Sequence, residues 1–172
     1  VSEQIPATSA AGTPAAATVE QYLTFELAGE LYAIPILSVQ EIRGWEPVSK
    51  IPQTPPHVLG VIDLRGAVVP VVDLRTRLAI ERRDTTSTTV VIVVRIEAAE
   101  REAVTVGCVV DAVSDVANID GATVRPPPSV CGNVDSHFLR GLSAIDERLV
   151  MLLDLTRLID VATDFEPAAR AA

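Results

Sequence analysis

Two histidines, two cysteines and six aspartates at strand ends are the residues here that could do acid–base, nucleophilic or metal chemistry. Nucleophilic catalysis needs a serine or cysteine with a base in hydrogen-bond reach, and only His57 and His137 offer an imidazole. Each sits in a short polar-to-apolar segment, where a histidine at a helix end is the ordinary reading. Cys108 and Cys131 are far apart and no C-x-x-C occurs, so metal-ligand spacing is missing. Neither glycine-rich phosphate loop, G-x-x-x-x-G-K with Ser or Thr or G-x-G-x-x-G, is present. Asp63, Asp73, Asp111, Asp115, Asp146 and Asp154 fall at strand ends or turns, where capping and turn formation explain them more cheaply than general acid–base work. The expectation is a protein with no catalytic residue, no metal site and no cofactor.

The elements that position these residues are strands. Val, Ile, Leu and Ala carry a 48% apolar fraction while aromatics make up 3%, and β-branched side chains fit a pleated, half-buried surface. At 172 residues the chain is one domain or two very small ones, large enough to bury roughly 70% of its unfolded surface without staples. The formal charge of −9, from 14 basic against 23 acidic residues, works against a nucleic-acid partner, and so does the shortage of stacking aromatics. No stretch nears the ~20 apolar residues of a membrane span. The first residues lack the basic start and apolar run of a secretory signal. Together with an apolar-strand position for Cys108, this leads us to expect unbridged thiols and a cytoplasmic protein.

Residues 1–19 are rich in Ala, Thr, Ser, Pro and Gly and read as a disordered arm, and 162–172 as a tail. Between them, Tyr22–Leu27 and Leu31–Ile34 around Ala28-Gly29-Glu30 form one hairpin. Thr89–Ile96 and Ala103–Val110 around a charged turn form a second. An internal repeat follows. Ile36–Ile42 aligns with Val110–Val116 at an offset of 74, and Gly60-Val61 and Val69–Leu74 align with Gly141-Leu142 and Val150–Leu155 at an offset of 81. Two small β-units packed on each other are expected, each closing about five strands into a barrel so that no edge is left open. The first would lie mainly in residues 20–80 and the second mainly in 88–161, with strands free to cross between them. Short helical turns are expected at Pro55–Leu59 and Asp135–Leu139, and after Asp73 and Asp154 acting as N-caps.

The stretch from Gly60 to Leu78, G-V-I-D-L-R-G-A-V-V-P-V-V-D-L-R-T-R-L, is two apolar strands joined at Leu64-Arg65-Gly66. The glycine allows a tight turn and the arginine presents its rigid five-donor fork there. Pro70 lacks a backbone donor and is expected at an edge or bulge. Taken with Tyr22–Leu27, Tyr32-Ala33-Ile34, Ile36–Arg43, Ile51–Pro55 and Val106–Val113, this stretch closely resembles the CheW family of chemotaxis adaptors, over roughly residues 20–160.

The resemblance implies a mainly β fold: two pseudo-repeated, five-stranded, SH3-like β-barrels packed together, with a few short helices. It implies no enzymatic activity. One face would bind the coiled-coil tip of chemoreceptors, and barrel ends would pair with the regulatory domain of the histidine kinase CheA, which recruits the protein to membrane-associated arrays. Carried over by position, the receptor-facing groove would include Val39, Glu41, Gly60, Arg65, Val113 and Val116, with Glu41 and Arg65 close enough to pair. The kinase contact would include Leu64, Gly66, Val90 and Val91. Asp63 stands where the family's familiar residue is Asn. Other readings stay open: the valines as core and Gly60 as a turn residue, the same adaptor in a surface-motility or biofilm array, or a β-barrel that binds a small apolar molecule.

Overall fold

The computed structural model describes residues 18–81, 83–98, 101–129 and 134–160. The expected arm and tail, and Cys131, lie outside those residues except for 18–19. The strands are β1 (Val19–Leu27), β2 (Glu30–Pro35), β3 (Val39–Gly44), β4 (Val58–Leu64), β5 (Ala67–Asp73), β6 (Val90–Ala98), β7 (Arg101–Val110), β8 (Ala112–Asp120), β9 (Leu139–Ile145) and β10 (Arg148–Leu153). Two single-turn helices, α1 (Leu74–Arg77) and α2 (Leu155–Leu158), follow β5 and β10. Both start on the aspartates expected to cap them: Asp73 accepts from Arg75 N, and Asp154 from Thr156 N and Arg157 N.

The fold is mainly β, with two five-stranded sheets. One runs β8-β1-β2-β10-β9 and the other β3-β6-β7-β5-β4, with β2–β10 and β5–β7 as the parallel pairings. Each sheet is curled until its ends meet. Ser49, beyond β3, exchanges hydrogen bonds of 2.9 and 2.8 Å with Val61 of β4. Arg125, beyond β8, does the same with Leu142 of β9 at 2.9 and 2.8 Å. Closure by one bridge in each unit protects edges that an apolar open sheet would expose.

The sheets do not divide the chain at residues 80–88. The repeat is real, but its hairpins are exchanged: β1–β2 shares a sheet with β8, β9 and β10, whereas β6–β7 shares one with β3, β4 and β5. The connections show this. Only Asp111 separates β7 from β8, and only the 3-10 turn Ile36–Ser38 separates β2 from β3, and across neither link does the chain fold back onto the sheet it leaves. The chain runs straight on into the other barrel instead. The largest buried cluster is accordingly common to both sheets. It joins Leu23, Phe25, Leu27 and Ile34 from one to Val72, Ile92, Val94 and Cys108 from the other. Smaller clusters sit within each sheet, around Tyr22, Ala33 and Leu152 and around Val71, Val91 and Val109.

Two local expectations need correcting. Pro55–Leu59 is not helical, because Val58 already begins β4 and the His57 carbonyl accepts from Asp73 N at 2.8 Å. The charged turn of the second hairpin is shorter than the expected Glu97–Glu102, since Ala98 still pairs with Arg101. Pro70 meets the edge expectation locally: β5 is interior to its sheet but meets β7 only from Val71 onward, so at Pro70 that side of the strand is unpaired and no partner needs the missing N–H.

Candidate docking site

The β4–β5 turn positions the one exposed arginine that the sequence singled out. Arg65 and Gly66 both take positive φ, 55° and 87°, as a two-residue hairpin turn requires. The carboxylate of Asp63 locks the turn by accepting from Gly66 N at 2.8 Å. Arg65, with 84% of its side chain exposed, reaches across the barrel closure and places Nη2 3.0 Å from Oε2 of Glu41 on β3. The expected pair therefore forms, with Arg43 Nε 3.8 Å from the second Glu41 oxygen. Such a pair, open to solvent on the arginine side, is worth only about 0–1 kcal/mol to folding. What it does is fix a guanidinium that would otherwise sweep freely.

The apolar candidates divide by burial. Val39 and Val113 are half-buried and pack on the margin of the shared core. Val116 is 44% exposed. Beside Val39, Leu37 projects almost wholly into solvent at the lip of a 340 Å³ cleft that Ser38, Arg95, Ile96, Leu155 and Thr156 also line. Leu64 is half-buried, Gly66 exposed, and Val90 half-buried against the shared core.

Two candidates do not stand at a surface. Gly60 is buried at φ 153°, and a methyl there would overlap the Ser49 carbonyl at the barrel closure. Its missing side chain makes room for the protein's own backbone rather than for a partner. Gly141 repeats this, where an added carbon would lie 2.8 Å from the Arg125 carbonyl. Val91 is 3% exposed in the cluster with Val71 and Val109, so it cannot be part of a contact surface.

Sequence reasoning missed the seam between the barrels. Arg75 of α1 is buried. Its Nε donates to Asp111 Oδ1 at 2.6 Å, its Nη2 to Asp111 Oδ2, and its Nη1 to the Glu81 carbonyl at 2.8 Å. Asp111 also accepts from Ala28 N at 2.9 Å, which ties the β1–β2 turn into the same network. Two residues on, Arg77 donates to the Leu158 carbonyl at 2.5 Å, and its guanidinium lies 4.8 Å from the centre of the Phe138 ring. Burial pushes the Asp111 carboxyl up, but the Arg75 and Ala28 hydrogen bonds outweigh it and hold its pKa below the usual value. The Asp111 hydrogen bond raises the pKa of Arg75, against its burial. Burial alone pushes the Cys108 thiol up to about 12, the state of an inert core residue.

Among the described residues no group of three or more His, Cys, Asp or Glu side chains could hold a metal ion. Among them, too, no helix is long and apolar enough to cross a membrane. The side chains that would line an apolar ligand chamber inside either sheet pack on each other instead.

Comparison with known proteins agrees with this architecture. The family model for the CheW-like domain matches residues 21–163. The chain is 40% identical over 140 residues to a chemotaxis protein CheW from Klebsiella aerogenes, covering 81% of each. It is 38% identical over 138 residues to a probable chemotaxis protein CheW from Rhizobium etli, covering 80% of this chain and 86% of that one. Among solved structures, the scaffolding protein TtCheW from Thermoanaerobacter tengcongensis superimposes with a TM-score of 0.74 at 33% identity, covering 84% of this chain and 90% of the other. Two hairpin-exchanged barrels with an arginine-tipped turn, matched over the folded length, place this chain in the CheW family of chemotaxis scaffold proteins.

Proposed function

We propose that this protein is a non-enzymatic adaptor that couples the cytoplasmic tips of chemoreceptors to the regulatory domain of the histidine kinase CheA, and is recruited by them to membrane-associated arrays. The observation that carries the reading is the fixed guanidinium of Arg65, 3.0 Å from Glu41, on a protein whose half-buried Val39 and Val113 edge the inter-barrel core. A helical partner is held by apolar anchors and a few oriented charges; Val39 and Val113 offer the first and Arg65 the second. Val116 extends the apolar strip. For the kinase side, the exposed turn at Leu64 and Gly66 and the start of β6 at Val90 are the proposed contacts.

Reconstitution tests the reading. With kinase, membrane-embedded receptor and this chain combined, kinase autophosphorylation responds to the receptor only when the chain is present. Failure to bind either partner at tens of micromolar would sink it. Arg65→Ala gives a finer test. Receptor binding falls, while kinase binding and the urea unfolding midpoint stay nearly unchanged because the exposed ion pair contributes under about 1 kcal/mol. A parallel loss of all three would make Arg65 a structural residue only.

A further inference from the structure

Val113 and Val116 are three residues apart on β8, and side chains so spaced in a regular strand project from opposite faces. The register changes this. Val113 stands opposite Phe25 and Val116 opposite Leu23, and Ser114 is the unmatched residue of a β-bulge. Both valines therefore lie on the face shared with Phe25 and Leu23, two members of the common core. The repeat reproduces the device on β3. Val39 stands opposite Val94 and Ile42 opposite Ile92, with Gln40 unmatched between Val39 and Glu41. Ile92 and Val94 also belong to the common core. Each barrel thus extends a two-residue aliphatic ledge out of the shared interior: Val39 then Ile42 on one, Val113 then Val116 on the other. The outer members, Ile42 and Val116, are 45% and 44% exposed. Glu41, opposite Val93, falls on the other face of β3.

A bulge interrupts the ladder, and in β8 a side chain makes good the loss. Thr24 of β1 is 3% exposed. Its hydroxyl donates to the Asp115 carbonyl at 2.9 Å and accepts from Asp115 N at 3.0 Å. At the matching place in β6, opposite Glu41, stands Val93. A buried hydroxyl that satisfies both backbone groups of one residue holds that residue's register, because losing it removes both of those hydrogen bonds at once.

We infer that Thr24 is a positioning residue for docking of the helical receptor tip: it holds the β8 bulge so that Val113 and Val116 share one face. Ile42 is then the contact on β3 that corresponds to Val116. This inference rests on the adaptor reading above. The occupant is a helix because its anchors recur on one face every three to four residues, and two short aliphatic ledges continuous with a packed interior take such anchors.

The test uses the full chain, a coiled-coil cytoplasmic receptor fragment as probe, and binding measured by calorimetry alongside amide hydrogen exchange. Thr24→Val lowers receptor-fragment affinity by at least about fivefold and speeds exchange at Asp115 and Val116. Thr24→Ser, which keeps the hydroxyl, stays within about twofold of the parent. Binding to the kinase regulatory domain is unchanged in both. Ile42→Ala and Val116→Ala each weaken receptor binding by a comparable factor, and since both side chains are half exposed these variants fold even if Thr24→Val does not. Full receptor binding by Thr24→Val in its folded form, or by both alanine variants, overturns the inference and leaves the adaptor reading intact. Absence of binding by the parent chain overturns the adaptor reading itself.

Discussion

Arg75 spends its guanidinium on three acceptors at once, and that makes it the residue on which the seam depends. One carboxylate, Asp111, answers both the arginine and the Ala28 amide, so it holds α1, the β7–β8 crossing and the β1–β2 turn together. Arg75→Ala leaves that carboxylate without its counter-charge. The expected loss is about 3 kcal/mol, at the low end for a broken buried pair because Asp111 keeps some solvent; urea unfolding measures it. The same pair sets an acid response. The folded-state pKa of Asp111 lies below its unfolded value, so its contribution is present in full above about pH 4 and is lost as pH falls through the folded pKa. Asp111→Asn should flatten that part of the stability–pH curve, and an unaltered curve would show that other carboxylates govern it. Nothing in the residue pattern announces this role. Asp111 looks like any strand-end aspartate, and Arg75 is separated from it by 36 residues and by membership of a different element. The pair between Glu41 and Arg65 was readable because a family pattern names both residues.

At the scale of elements, the two glycines at the closures matter most. Gly60 and Gly141 occupy matching places in the repeat, and each faces a backbone carbonyl, of Ser49 or Arg125, from the bridge that seals its barrel. Gly60→Ala and Gly141→Ala should each destabilise by several kcal/mol, roughly the scale of strain plus an unpaired closure bridge. The Gly60 variant should be the worse of the two, since its φ of 153° is also poorly tolerated by alanine. A Gly60 substitution that weakened receptor binding with an unchanged melting temperature would contradict this and restore the glycine to the docking surface. Strands, hairpin turns and helix caps were readable because each is written locally: alternation in Tyr22–Leu27, glycine at 29 and 66, aspartate before α1 and α2. Bulges were not. Whether Gln40 or Ser114 is skipped depends on the partner strand, and no residue within β3 or β8 announces it.

Taken whole, the molecule is two barrels that neither half of the chain can build alone. Each needs a hairpin from the opposite half, and the main core crosses the boundary between them. Thermal unfolding should therefore be a single transition, with calorimetric and van't Hoff enthalpies equal; two resolved transitions would mean that the barrels are energetically separate. Repeat detection found the two units because the side-chain pattern survives in both. Their composition stayed hidden because the exchange lies in which sheet the chain enters after residues 36–38 and 111, not in any residue type. The exchange also has a consequence for synthesis on the ribosome. The barrel made of β3 to β7 is complete in the chain once Val110 has emerged, but β1–β2 must wait for β8, β9 and β10. From the end of β2 to the start of β8, at roughly 5–20 residues per second, the leading hairpin spends several seconds without its neighbours. The first two strands of the fold to be translated are among the last to be paired.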